Sequence, residues 1–209
     1  MDVIAEMERH KLMPVLRIDR KSDVRPLMRA LCEGGLPAAE VTFRTDCGAA
    51  ALEAARREFP EMLIGAGTVI CEEQARRAYD CGAMFIVGPG WSDEVAAFCT
   101  ARGLAYIPGC VTPTEVMRAV NAGFSAVKFF PASAFGGLKT IRALSAPFPG
   151  VRFMPTGGVG EDNLAEYLRE KSVFACGGSW MVPPRDVAEG NFDKVVSLVK
   201  KACAIAAQA

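Results

Sequence analysis

Residues 62–87 read MLIGAGTVICEEQARRAYDCGAMFIV. The run 62–66 is short and apolar. A stretch rich in Ala, Glu and Arg follows over 71–81, with apolar side chains at helical spacing. Gly82 stands where a helix commonly ends in a left-handed residue. A second apolar run, 84–87, comes next. The stretch therefore reads as a strand, a helix and a returning strand.

The same unit recurs in both directions. Apolar runs occupy 14–18, 38–43, 62–66, 84–87, 105–108, 126–130, 151–155 and 173–176, starting at intervals of roughly 20 to 25 residues. Helical patterns lie between them, at 23–33, 71–81, 93–102, 113–122 and 162–170. Asp23 is placed to cap the first of these, and Gly34-Gly35, Gly82, Gly103 and Gly123 follow helical stretches. The strands are apolar on both faces, as a buried parallel sheet requires. Eight short β-α units predict a (β/α)8 TIM barrel, an α/β fold forming a single domain over 1–209. Residues 1–12 are expected to be an extra helix closing the barrel bottom. The competing fold is an open doubly wound sheet, which often carries a glycine fingerprint after its first strand. Leu16-Arg17-Ile18-Asp19-Arg20 has none.

Composition narrows the chemistry. The chain has 209 residues, 24 basic and 24 acidic side chains and one histidine, His10. Zero formal charge leaves no electrostatic footprint for nucleic acid or an anionic membrane. Ser-His-Asp and Cys-His catalysis need a histidine beside the nucleophile, and His10 lies in a charged N-terminal run. Multi-histidine metal sites are ruled out, and neither metal nor cofactor is expected. The eight cysteines form no C-x-x-C pair and sit in apolar context, which suits a reducing compartment. No signal peptide or apolar run of membrane-spanning length is visible, so a cytoplasmic protein is expected.

In a barrel of this kind the chemistry gathers at the C-terminal ends of the strands. Lys128 lies inside an apolar run, between Val127 and Phe129-Phe130, unlike the other seven lysines. Alternation puts Lys128 and Phe130 on one face. Two readings stand: a snorkelling or ion-paired lysine, or an amine held in an apolar interior that disfavours its charged form. Such an amine forms a Schiff base with a ketone, and the iminium then serves as an electron sink. Glu40 lies in another apolar run, with Thr42 and Arg44 on the same face. It is either half of a structural pair with Arg44 or Lys128, or the carboxylate that shuttles protons in place of a histidine.

The third signal is glycine. Thr156-Gly157-Gly158 ends the seventh strand and Gly177-Gly178-Ser179 the eighth. Loops after these two strands commonly cradle phosphate, although glycine pairs also make ordinary turns. Thr68 is a rim hydroxyl for a substrate carboxylate or a turn threonine. Arg17 and Arg44 bind anions at the rim or pair with Asp19 and Asp46. Pro89 and Phe130 shape a pocket wall or simply pack.

Together these segments resemble a known family. Gly35-Leu36-Pro37-Ala38-Ala39-Glu40-Val41-Thr42-Phe43-Arg44 is similar to the glutamate motif of 2-keto-3-deoxy-6-phosphogluconate (KDPG) aldolases. Ser125-Ala126-Val127-Lys128-Phe129-Phe130-Pro131-Ala132 resembles their Schiff-base lysine motif. Gly65-Ala66-Gly67-Thr68-Val69, Ile107-Pro108-Gly109, Phe153-Met154-Pro155-Thr156-Gly157-Gly158 and Gly177-Gly178-Ser179-Trp180 resemble family segments in the same order.

The resemblance implies a homotrimeric class I aldolase that reversibly cleaves KDPG to pyruvate and glyceraldehyde 3-phosphate, the last Entner–Doudoroff step. Cleavage of 2-keto-4-hydroxyglutarate is implied as well. Lys128 would form the imine and Glu40 would shuttle protons through a water. Thr68 and Arg44 would hold the pyruvoyl carboxylate or order the site, while Phe130 and Pro89 would line the pocket. Gly157, Gly158, Gly178 and Ser179 would hold the phosphate. Thr156 favours the gluconate-derived substrate over its galactonate epimer, and Arg17 has no fixed family role.

Two other readings use the same residues. One is a phosphosugar isomerase or epimerase that needs no imine. The other is a phosphate-ligand binding protein in which Lys128 and Glu40 merely pair. The aldolase of the galactonate epimer is the alternative within the family.

Overall fold

The computed structural model describes residues 2–209. Its elements alternate along the chain: α1 (Val3–His10), β1 (Leu12–Leu16), α2 (Val24–Glu33), β2 (Ala38–Thr42), α3 (Gly48–Glu58), β3 (Leu63–Gly67), α4 (Glu72–Asp80), β4 (Phe85–Val87) and α5 (Asp93–Ala101). The second half continues with β5 (Ala105–Ile107), α6 (Pro113–Asn121), β6 (Ala126–Phe129), α7 (Gly137–Ser145), β7 (Arg152–Pro155), α8 (Leu164–Leu168), β8 (Cys176–Gly178), α9 (Pro184–Glu189) and α10 (Phe192–Gln208).

All the strand pairs are parallel. Six strands form one sheet in the order β5-β4-β3-β2-β1-β8, and β6 pairs with β7. Single bridges join the two pieces, Gly109 to Lys128 and Thr156 to Gly177. Those bridges carry the ladder from β5 to β6 and from β7 back to β8, so the sheet curls into the expected eight-stranded barrel. Nearly every strand residue is buried, because helices cover the outside and side chains fill the inside.

Local signals explain most element boundaries. Gly82, Gly103 and Gly123 all adopt positive φ just after α4, α5 and α6, as their positions predict. Thr112 and Glu115 form a reciprocal capping box on α6, which also has Pro113 at its first turn. Asp23 differs from expectation. It has helical backbone angles and makes no side-chain cap on α2; its carboxylate instead accepts from Arg20 Nε at 2.9 Å. A short 3₁₀ turn over Lys21–Asp23 precedes α2 and takes up that residue.

The N-terminal helix is shorter than 1–12. Asp2 caps it by accepting from the backbone N–H groups of Ile4 and Ala5, and Lys11 ends it in the left-handed conformation. Leu12 already belongs to β1. The helix lies at the N-terminal ends of the strands: Val3 and Ile4 face Met84, Leu104 and Ala105, and Glu8 pairs with Arg152 at the start of β7. Met7 is fully buried there. The expected first strand, 14–18, begins two residues earlier. The expected eighth, 173–176, is displaced to Cys176–Gly178, so the glycine pair forms the last two residues of the strand. No helix among the described residues is long and apolar enough to cross a membrane.

Candidate active site

Two charged side chains meet inside the barrel. Glu40, in the middle of β2, is fully buried, and Lys128, near the end of β6, is 4% exposed. Lys128 Nζ donates to Glu40 Oε1 at 3.1 Å. Glu40 Oε2 is buried and has no hydrogen-bond partner among the described residues. A buried carboxylate oxygen needs a donor, so Oε2 is free to accept from a water or a ligand group. Lys128 Nζ also sits 5.3 Å from the centroid of the Phe130 ring, an arrangement a cation or polarised N–H favours.

Phe130 leads to the cavity. A hollow of about 270 Å³ opens at the C-terminal ends of β7 and β8, lined by Arg44, Phe130, Thr156, Gly157, Gly158 and Ser179, with Gly178 also in its wall. Seven of the expected residues therefore share one cavity with the pair beside it. Ser179, Gly158 and Arg44 are exposed at its mouth, and Gly157 is half-buried. Thr156 is buried, and its hydroxyl makes only a long hydrogen bond, 3.4 Å, to the Met154 carbonyl.

Both glycines of β8 are required by space. A β-carbon on Gly177 would overlap Thr156 Oγ1, and one on Gly178 would overlap the Trp180 indole. Gly157 and Gly158 have φ of 87° and 81°, a region that favours glycine and turns their backbone at the cavity wall.

The remaining expected residues lie outside that lining. Thr68 is half-buried directly after β3 and carries a φ of 59°. That conformation is strained for a β-branched residue and recurs at functional sites. Pro89 is half-buried, packed against Gly109. Arg17 is exposed, and its Nε lies 3.2 Å from Asp19 Oδ1. Arg44 has no ion pair with Asp46 among the described residues. Its side chain instead borders both this cavity and a polar hollow that includes Glu73 and Arg77.

Sequence reasoning gave Trp180 no role, yet its indole lines the cavity and backs Gly178. The signal was its place beside Gly177-Gly178-Ser179. Two buried strand-end thiols are disfavoured as thiolates. Burial pushes the Cys110 thiol up to about 12, with Glu115 adding to the effect, and burial also raises Cys176. An apolar hollow of about 340 Å³ at the N-terminal ends of β6 and β7 is lined by Val120, Phe124, Pro147 and Phe148 and holds no titratable side chain.

The chain is similar to known proteins over almost its whole length. The family model described as KDPG and KHG aldolase matches residues 3–198. A 2-dehydro-3-deoxy-phosphogluconate aldolase of Treponema pallidum is 45% identical over 196 residues, 94% of this chain and 93% of that protein. The crystal structure of KDPG aldolase from Legionella pneumophila, with pyruvate captured at low pH as a covalent carbinolamine intermediate, superposes with a TM-score of 0.93. It is 36% identical and covers 96% of this chain and 97% of its own. The KDPG aldolase of Zymomonas mobilis with 3-phosphoglycerate gives a TM-score of 0.90 at 36% identity, covering 98% of this chain and 96% of that one. By motif order, barrel topology and these matches, the chain belongs to the KDPG and KHG aldolase family.

Proposed function

We propose that this protein is a Schiff-base aldolase that reversibly cleaves KDPG to pyruvate and glyceraldehyde 3-phosphate, and 2-keto-4-hydroxyglutarate to pyruvate and glyoxylate. The observation that carries the reading is the buried pair: an amine 3.1 Å from a carboxylate, beside a cavity built from glycine-rich strand ends. The carbinolamine captured in the Legionella pneumophila relative supports the same chemistry.

The steps follow from these groups. Lys128 Nζ, as the free amine, adds to the C2 ketone and forms a carbinolamine. Glu40 supplies the proton with which the hydroxyl leaves as water, giving an iminium. The C3–C4 bond then breaks. Its electron pair moves into the iminium to form the enamine of pyruvate, and the C4 hydroxyl loses its proton as the aldehyde forms. Protonation of the enamine at C3 and hydrolysis of the imine return pyruvate and the free amine. Glu40 faces Lys128 through Oε1 and keeps Oε2 unpaired, so one carboxylate can serve each transfer, directly or through a water.

The backbone N–H groups of Gly157, Gly158, Gly178 and Ser179 hold the phosphate in this reading, with Arg44 at the mouth. Thr68 and Arg44 hold or order the pyruvoyl carboxylate, Thr156 offers its hydroxyl to the C4 region, and Phe130 and Pro89 shape the wall. Arg17 pairs with Asp19 and lies outside the cavity lining. The protein acts as a homotrimer in a reducing cytoplasm; exposed Ile70, Met117, Val120 and Phe135 offer apolar contact surface, and all eight cysteines are free.

Borohydride added with pyruvate tests the reading. A stable adduct on the peptide containing Lys128, together with pyruvate release from KDPG, is expected. Absence of the adduct under turnover conditions favours an imine-free isomerase or a binding protein.

A further inference from the structure

The buried pair rests on a residue with no side chain. In the parallel register of β2 and β3, Glu40 stands opposite Gly65 and Thr42 opposite Gly67. A β-carbon built on Gly67 meets three atoms first, and all three belong to Glu40: Oε1, then Cγ at 2.5 Å and Cδ at 2.6 Å. Gly65, two residues earlier, is hemmed in by the Phe85 ring instead. Gly67 lies in extended strand and has no positive φ, so its backbone would accept alanine. What excludes a side chain there is the space Glu40 occupies.

Glu40 cannot simply swing aside. Cγ and Cδ lie at the middle of the side chain, the residue is fully buried, and Oε1 is held by Lys128. A side chain at position 67 would have to lift the carboxylate off its seat and change its distance to the amine. Close packing leaves little room to absorb such a shift.

We propose that Gly67 is a positioning residue of the active site: the space left by its missing side chain seats the Glu40 carboxylate against the Lys128 amine. The catalytic consequence rests on the aldolase reading above; the seating itself does not.

A double-mutant cycle on the melting midpoint tests the seat without any assay of activity. Gly67→Ala is expected to lower the midpoint by several degrees in the wild type and by much less in a Glu40→Ala background, where Cγ, Cδ and Oε1 are gone. Equal losses in both backgrounds overturn the proposal. If Gly67→Ala alone does not fold, recovery of folding in the double variant supports the seat equally, and failure of the double variant where Glu40→Ala alone folds overturns it. Glu40→Ala carries Lys128→Met in every arm, so that no unpaired amine is left buried.

The catalytic half is read from exchange of the pyruvate methyl protons with solvent, divided by the fraction of enzyme carrying borohydride-trapped imine. Gly67→Ala is expected to lower this ratio roughly 10²-fold, the scale of a misplacement of about 1 Å. An unchanged ratio makes Gly67 a structural glycine only. If the wild type traps no adduct, the aldolase reading fails while the midpoint cycle still decides the seat.

Discussion

Lys128 and Glu40 form a buried amine–carboxylate pair, Nζ to Oε1 3.1 Å, in which the second carboxylate oxygen has no partner among the described residues. Removing either partner strands the other in the barrel. Lys128→Ala is expected to abolish the pyruvate–borohydride adduct and turnover, and to destabilise the fold by about 3–5 kcal/mol by leaving Glu40 alone. Mass spectrometry and urea unfolding check the two halves.

Glu40→Gln keeps the shape but cannot exchange protons. Adduct formation should persist at a reduced rate, while exchange of the pyruvate methyl protons falls by roughly 10²–10⁴-fold. Exchange at the wild-type rate would remove Glu40 from the proton path.

Gly178→Ala should act on the phosphate end. Its β-carbon would overlap Trp180 and displace the strand end that lines the cavity. The KM for KDPG is expected to rise at least tenfold, by loss of a charge-assisted hydrogen bond to phosphate, with little change for 2-keto-4-hydroxyglutarate, which has no phosphate. A parallel rise for both substrates would place the effect on the imine end.

Thr156→Val tests substrate choice. The Thr156 hydroxyl has only one long internal bond and lines the cavity. The ratio of kcat/KM for KDPG over its C4 epimer is expected to fall by about tenfold, the scale of one hydrogen bond to a substrate hydroxyl. Steady-state kinetics on the two epimers decide it.

His10 gives a pH dependence unrelated to catalysis. Burial, aided by Arg9 and opposed by Glu6, holds its imidazole below the ordinary value of 6.5. The unfolded chain therefore binds this proton more readily. The contribution is intact above about pH 6.5 and is lost as pH falls through that value towards the lower folded one. Urea unfolding of His10→Gln should lose this part of the acid sensitivity; an unchanged pH profile would assign it elsewhere.

Much of this was legible in the chain alone. The alternation of apolar runs and helical stretches reports burial period, so it predicts eight units without any contact being known. Lys128 and Glu40 stood out because charges are rare in apolar strands. Other features depended on packing. The eighth strand sits on the glycines because only bare backbone fits between Thr156 and Trp180. Asp23 looked like a cap until Arg20 took its carboxylate, and Arg17 is similarly engaged by Asp19.

By itself, the sequence determined the barrel rhythm, the chemical types available and the strand ends at which they stand, since periodicity and residue chemistry are local properties. Only the tertiary structure decided that residues 88 positions apart meet at 3.1 Å. It also decided that Gly67 gives up its side-chain volume to Glu40 and that single bridges at Gly109 and Thr156 close the ring. Distances between strands are set by barrel closure and packing, which no single segment encodes.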